Sequence, residues 1–210
     1  MRRIFGVLGG RDFPAEALAD WARSADVVIA ADSATDRLLA VGVEPHVVIG
    51  DLDSMKADRA GLSAEIVEIA DQDRTDCDKL LDYANGLGPA AMVLAGVEGD
   101  RLDHVLSTLS SVARLRPDCR LLLRRGIGHV RGAGGSVRLE TSAGRRCSVL
   151  PLPEAAVSLS GVRWPLSSEP LRLGGFVSIS NETSGTVEFE VHSGVAMLVL
   201  ETQGTPPLDW

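Results

Sequence analysis

Acidic residues recur in this chain where short apolar runs end, and their spacing suits a hard cation. Asp32 directly follows the run at 27–31, and the run at 47–49 passes into Gly50-Asp51-Leu52-Asp53-Ser54. The run at 66–69 leads to Asp71 and Gln72, then to Thr75, Asp76 and Lys79. The run at 92–95 leads to Gly96, Gly99, Arg101, Asp103 and His104. Carboxylates gathered in one place oppose each other's ionisation unless a cation neutralises them. Oxygen ligands of this kind suit Mg²⁺, which keeps several waters and takes further oxygens from substrate phosphates. The chemistry implied is phosphate transfer from a nucleotide, with Lys79 and Arg101 offsetting phosphate charge. Asp and Gly are also the commonest loop residues, so any one of these aspartates alone reads equally as a turn or a helix cap. Together they favour metal. Asp76 and Lys79, three apart on one helix, read alone as a surface ion pair of small worth.

Two familiar phosphate-binding patterns are absent: there is no GxxxxGK[ST] loop and no GxGxxG after the first apolar run. Gly9-Gly10 follows that run and suits either backbone approach to a phosphate or a tight turn.

The elements that must carry these residues differ between the two halves. Up to about residue 125, apolar runs at 4–8, 27–31, 47–49, 66–69, 92–95 and 121–123 are rich in Val and Ile, as strands buried on both faces should be. Helical patterns lie between them at 14–23, 76–87 and 104–115, the first opening on Pro14. Cys77, Leu80, Leu81, Ala84 and Leu87 share one stripe, as do Val105, Leu109, Val112 and Leu115. Alternation of this kind predicts a Rossmann-like parallel sheet with flanking helices over residues 1–125. In such sheets ligands bind outside the carboxyl ends of the strands, which is where the acidic residues fall.

Residues 126–210 carry short β-rich segments at 136–140, 147–150, 157–159, 176–180, 186–191 and 195–201, separated by Gly, Pro and Ser turns at 132–135, 151–153, 174–175 and 184–185. Val187, Phe189 and Val191 alternate with Glu188 and Glu190, and no helix of useful length is visible. The expected fold class is α/β plus all-β, the second part a small antiparallel β-sandwich or barrel, with the boundary near 126–135.

The 210 residues carry a net charge of −8, which argues against a sequence-independent nucleic-acid binder. Cys77, Cys119 and Cys147 are scattered and odd in number, so neither a disulfide framework nor a zinc site follows. No stretch approaches the length of a membrane span, and the apolar run after Arg2-Arg3 is too short for a signal peptide. The chain reads as cytoplasmic. His46, His129 and His192 receive no role, and His104 reads as a structural hydrogen-bonding partner. Trp210, after Pro206-Pro207, suits an edge or dimer contact.

Taken in order, these segments resemble the thiamine pyrophosphokinase family. The family's Gly-Asp-x-Asp-Ser block is matched by residues 50–54, and its Asp-Gln-x-x-Thr-Asp-x-x-Lys block by Asp71, Gln72, Thr75, Asp76 and Lys79. Its Gly-x-x-Gly-x-Arg-x-Asp-His-x-Leu block is matched by Gly96, Gly99, Arg101, Asp103, His104 and Leu106, and later blocks by Gly161, Trp164, Leu166, Ser180 and Asn181. The resemblance implies transfer of pyrophosphate from ATP to the thiamine hydroxyl by a homodimer whose active sites lie between subunits. It implies Asp32, Asp51, Asp53 and Asp76 as Mg²⁺ ligands, with Gln72, Thr75, Lys79 and Arg101 on the nucleotide. Asp103 would sit near the reacting hydroxyl, and Trp164, Ser180 and Asn181 would hold thiamine. An indole face favours a cationic ring, and a Ser-Asn pair can hydrogen-bond an aminopyrimidine; read alone, Trp164 is a core residue of the β-rich half.

Two departures stand out. Ser33-Ala34-Thr35-Asp36 replaces the family's Gly-Gly-Ala-Asn, and Asp100 stands where a second glycine is usual. Both add a carboxylate near the expected nucleotide. Competing readings are a pyrophosphokinase acting on another hydroxymethyl heterocycle such as a pterin, a non-catalytic nucleotide or metal sensor, and a pyrophosphohydrolase.

Overall fold

The computed structural model describes residues 1–11, 13–99, 101–202, 204, 208 and 210. The chain forms two compact units, one made of residues 1–116, 121–124 and 205–210, the other of 117–120 and 125–204. The fold is sheet-rich, with few helices.

In the first unit, β1 (Arg2–Val7), β2 (Val27–Ala31), β3 (Val47–Gly50), β4 (Glu65–Glu68) and β5 (Ala90–Ala95) pair side by side. Every pair (β1 with β2, β2 with β3, β3 with β4, and β1 with β5) is parallel. With β6 (Asp118–Leu123) the strand order is β4-β3-β2-β1-β5-β6. Ile4, Phe5, Val28, Ile29, Val48, Ile49, Val93 and Leu94 are essentially inaccessible, which is why their segments read as unbroken apolar runs. β4 departs from that expectation. Glu65 and Glu68 are exposed and Ile66 and Val67 only half-buried, as an edge strand allows.

Four helices connect these strands: α1 (Ala15–Ser24), α2 (Asp32–Ala40), α3 (Asp76–Gly86) and α4 (Leu102–Leu115). α2 was not expected. It opens directly on Asp32 with no intervening loop, and its Asp-Ser-Ala-Thr-Asp start carries no apolar stripe until Leu38. α3 begins with a capping box: Thr75 Oγ1 accepts the Asp78 N–H while Asp78 Oδ2 accepts the Thr75 N–H, both at 3.1 Å. Of the expected stripe, Cys77, Leu80, Leu81 and Ala84 are buried together with Asp78 and Lys79, while Leu87 falls just past the helix end and is half-buried. On α4 only Val112 of the expected stripe is fully buried, and Leu102 and Leu106 are exposed.

Trp210 groups with this first unit. Its indole meets Trp21 edge-on at 5.4 Å, lies under the Arg3 guanidinium and donates Nε1–H to Ser24 Oγ at 3.0 Å. The neighbouring Pro206 and Pro207 lie outside the described residues, as does Asp100.

The second unit has its own core. β7 (Gly126–Gly132), β8 (Ser136–Leu139), β9 (Arg146–Val162), β10 (Leu166–Arg172) and β11 (Ser178–Glu201) are joined by antiparallel pairs, with β11 between β9 and β7 and β10 beyond β9. Val149, Val157, Leu159, Val187, Phe189, Val191 and Leu198 fill one apolar cluster, the alternation at 186–191 supplying three of them. Five expected short segments are parts of two long strands. The expected turns at 151–153 and 184–185 sit at irregularities within them, whereas those at 132–135 and 174–175 do separate strands. Pro151 and Pro153 lie where the register jumps between Gly194 and Ala196, a place where a missing N–H is tolerated. Residues 126–132, within the expected boundary, form β7, and β10 was not expected at all. Cys77, Cys119 and Cys147 are all buried, and burial pushes the Cys147 thiol up to about 11. No helix among the described residues is long and apolar enough to cross a membrane.

Candidate active site

The strand order reverses direction between β1 and β5: the chain leaves β1 toward β2 on one side and leaves β5 toward β6 on the other. A crevice is expected at the carboxyl ends of strands at such a point. One of about 860 Å³ opens there, lined by residues 8–10 after β1, Asp51 and Ser54 after β3, residues 72–77 with Lys79, and residues 96, 97, 99, 101 and 103 after β5. The loops after β1 and β5 touch through backbone. Gly10 N–H donates to the Gly96 carbonyl at 3.0 Å, and a Cβ on Gly10 would lie 2.0 Å from the Glu98 carbonyl oxygen. Gly10 therefore serves close packing of these two loops.

Asp32, at the first position of α2, is buried below the loop that follows β3. Gly50 is needed for that arrangement, since a Cβ there would stand 2.8 Å from the Asp32 carboxylate carbon. Asp32 accepts the N–H groups of Ser33 at 2.5 Å and Ser54 at 3.4 Å. Asp32, Asp51 and Asp53 each bring a carboxylate oxygen into a group within 4.8 Å. Burial raises the Asp32 pKa, the two backbone donors oppose that, and the charges of Asp51 and Asp53 raise it further. Asp51 is shifted the other way, chiefly because Gln72 Nε2 donates to its Oδ2 at 2.9 Å.

Asp76 stands outside this group of three but feels it. Burial first, then the charge on Asp32, push its pKa up, against the pull of Lys79. Lys79 is only 3% exposed, with its Nζ 3.9 Å from Asp76 Oδ1. The pair sets a buried ammonium against a half-exposed carboxylate in the crevice lining, so only its Asp76 side meets the surface as its spacing suggested. Arg101 and Asp103 pair at 2.6 Å at the mouth of the crevice, and this contact holds the Asp103 carboxyl below the usual range. The Thr75 hydroxyl is engaged in the α3 cap, and Asp71 accepts the Asp73 N–H in the preceding loop.

The donor set fits a divalent cation. Three carboxylates converge, one is buried, and their mutual repulsion is only partly offset by Lys79; a hard dication at that point relieves it.

Trp164, Ser180 and Asn181 form a group in the second unit. Trp164 is 54% exposed, so its indole is presented to solvent and not packed in the core. Asn181 is buried; its Oδ1 accepts the Trp164 N–H at 3.1 Å and the Glu182 N–H at 2.9 Å, and its Nδ2 donates to the Trp164 carbonyl at 2.7 Å. Ser180 is exposed, in a left-handed conformation with φ 57°, its N–H donating to Ser148 Oγ at 3.1 Å. The Arg163 guanidinium covers the Trp164 ring at 4.7 Å.

Of the family departures, Asp36 is directed away from the crevice lining toward the loop after β3, where it accepts two backbone N–H groups. Nothing in its sequence context announces that partner.

A parallel α/β unit with a carboxylate-lined crevice at its topological switch point, joined to an antiparallel β unit, defines a class of two-part proteins with an acidic ligand site. Residues 18–123 match the sequence profile described as "Thiamin pyrophosphokinase, catalytic domain", and residues 136–196 match "Thiamin pyrophosphokinase, vitamin B1 binding domain". The chain belongs to the thiamin pyrophosphokinase family. It is 31% identical over 156 residues to thiamine pyrophosphokinase 2 of Arabidopsis thaliana, covering 66% of this chain and 58% of that one. It is 27% identical over 188 residues to the thiamine pyrophosphokinase of Bacillus subtilis (strain 168), covering 83% and 86%. The chain thus spans under two thirds of the plant relative's length. The crystal structure of thiamine pyrophosphokinase from Bacillus subtilis superposes with a TM-score of 0.77 at 24% identity, over 96% of this chain and 100% of that one, which establishes a shared fold.

Proposed function

We propose that the protein is an ATP-dependent thiamine diphosphokinase, transferring the β- and γ-phosphates of ATP to the thiamine hydroxyl and releasing AMP. The observation that carries this reading is the convergence of Asp32 and Asp53 on Asp51, which lines the switch-point crevice, in a member of this family. On this reading residues 1–125 are a Rossmann-like catalytic domain and residues 126–210 a β-sandwich that binds thiamine. The enzyme works as a cytoplasmic homodimer with active sites between subunits.

Asp32, Asp51, Asp53 and, from its place beside them, Asp76 hold Mg²⁺, directly or through water. When bound, the ion neutralises charge on the phosphates and on the carboxylates that face them. Gln72 orients Asp51 through the bond already made to Oδ2. Lys79 and Arg101 balance phosphate charge along the crevice, while Thr75 acts through the start of α3. The thiamine hydroxyl oxygen forms a bond to the β-phosphorus as the bond from that phosphorus to the AMP oxygen breaks, and the hydroxyl proton passes to Asp103 or another crevice carboxylate. Such transfers depend on positioning and charge neutralisation more than on a strong base. Asp103, kept ionised by Arg101, is suited to accept a hydrogen bond from the hydroxyl and align it. Trp164 offers its indole face to the cationic ring, with Ser180 beside it.

The test is Mg²⁺-dependent formation of thiamine diphosphate from ATP, compared with a hydroxymethylpterin and with no acceptor. Product with thiamine alone supports the reading. Product with the pterin alone moves the assignment to a different acceptor, and AMP without acceptor makes the protein a hydrolase.

A further inference from the structure

The loop at residues 50–57 carries two of the three converging carboxylates, and its conformation is not one the chain would choose unaided. Leu52, between Asp51 and Asp53, adopts φ 66°, a left-handed conformation that a leucine holds only when its surroundings enforce it. Three fastenings supply that enforcement. The buried Leu52 side chain and the Arg59 guanidinium, donating to the Leu52 carbonyl at 2.7 Å, fix the tip. The Ser54 N–H reaches Asp32. Asp36 takes the far limb with both carboxylate oxygens, accepting the Lys56 N–H at 3.1 Å and the Ala57 N–H at 3.0 Å. Asp36 lies one helical turn beyond Asp32 on α2, so one rigid helix holds a buried carboxylate within 4.8 Å of Asp51 and Asp53 and braces the loop that brings those two.

We propose that Asp36 is a positioning residue for the cation site: it registers residues 50–57 against α2 so that Asp51 and Asp53 converge on Asp32, and it does not itself bind the cation. Both of its oxygens are committed to backbone donors. The inference rests on the proposed Mg²⁺ site, and it gives the extra carboxylate at this family departure a role that does not oppose nucleotide binding.

The test uses Asp36→Asn, which keeps the shape but turns an NH₂ group toward a backbone N–H, and Asp36→Ala, which removes both acceptors. Mn²⁺ is titrated by electron paramagnetic resonance in the presence of α,β-methylene-ATP, whose bridge cannot be cleaved, and Tm is measured in EDTA. The expected result is Mn²⁺ binding weakened about tenfold in Asp36→Ala, as for other residues that orient metal ligands, and weakened less in Asp36→Asn, which carries the residue usual in the family and keeps one acceptor oxygen. Metal-free Tm should stay close to that of the unaltered protein, and the thiamine KM at saturating Mg²⁺ should not move. Unchanged Mn²⁺ affinity in a folded Asp36→Ala variant overturns the proposal, and so does a lowered metal-free Tm with unchanged affinity, which makes Asp36 merely structural. Failure of the unaltered protein to bind Mn²⁺ instead overturns the metal site itself.

Discussion

Asn181 grips Trp164 by both polar groups of its backbone: Oδ1 accepts the Trp164 N–H and Nδ2 donates to the Trp164 carbonyl. A buried amide thereby holds the backbone of a residue whose exposed indole is covered by the Arg163 guanidinium. The two residues should consequently fail differently. Trp164→Ala should raise the thiamine KM with little effect on Tm. Asn181→Ala should raise the KM and also lower stability by about 1–3 kcal/mol, because buried backbone groups lose their partner. Steady-state kinetics with thermal melts separate the two. An Asn181→Ala enzyme with normal Tm and raised KM would argue for direct contact with thiamine instead.

Asp51 and Asp53 should be needed for turnover but not for folding. Replacing either by Asn should lower kcat/KM at least about a hundredfold, as loss of a group facing transition-state charge does. The metal-free protein should be as stable as before or slightly more so, since like charges around buried Asp32 are reduced. Urea unfolding in EDTA, set beside the kinetics, checks both halves. A large loss of stability would assign these residues to the fold.

Acid sensitivity should trace in part to His129. This side chain is buried on β7 with its Nδ1 unpartnered among the described residues, and its pKa is pushed down from 6.5 to about 3 by burial first and then by Arg131 and Arg120. The folded state therefore keeps His129 neutral. As pH falls through 6.5 the unfolded chain takes up a proton that the folded chain refuses, so stability is lost from there down to about pH 3. The slope from this one group is at most about 1.4 kcal/mol per pH unit. His129→Leu should flatten the decline in urea midpoint between roughly pH 6 and pH 4. An unchanged slope would contradict the assignment.

Trp210 should contribute stability to the first unit through its edge contact with Trp21 and the Arg3 guanidinium over its ring. Trp210→Ala should cost about 1–2 kcal/mol and leave catalytic constants unchanged. A melt and a rate measurement decide it. Lost activity at unchanged Tm would place the C-terminal residue in function instead.

The parallel strands were legible because a strand covered on both faces leaves an unbroken Val/Ile run, and Gly50 to Ser54 announced itself by type and spacing. α2 was missed because it starts on Asp32 without a loop and reads as polar turn. β9 and β11 read as fragments because Pro151, Pro153, Ser184 and Gly185 are turn residues by preference, and the strands continue past them only through register shifts set by cross-strand pairing on either side. The same limit applies to the site. The burial of Lys79, the aim of Asp36 and the hold of Asn181 on Trp164 depend on residues distant in sequence, so no local pattern carries them. Trp164 was open to reading as a core residue; its exposure leaves it available to a ligand.

The central claim is transfer of an intact pyrophosphoryl group to thiamine. The most direct measurement is ³¹P NMR of the protein with ATP, Mg²⁺ and thiamine, followed to completion. AMP and thiamine diphosphate should form in equal amounts, with no ADP at any stage and no reaction in EDTA. Appearance of ADP with thiamine monophosphate, or of AMP with free pyrophosphate, would contradict it.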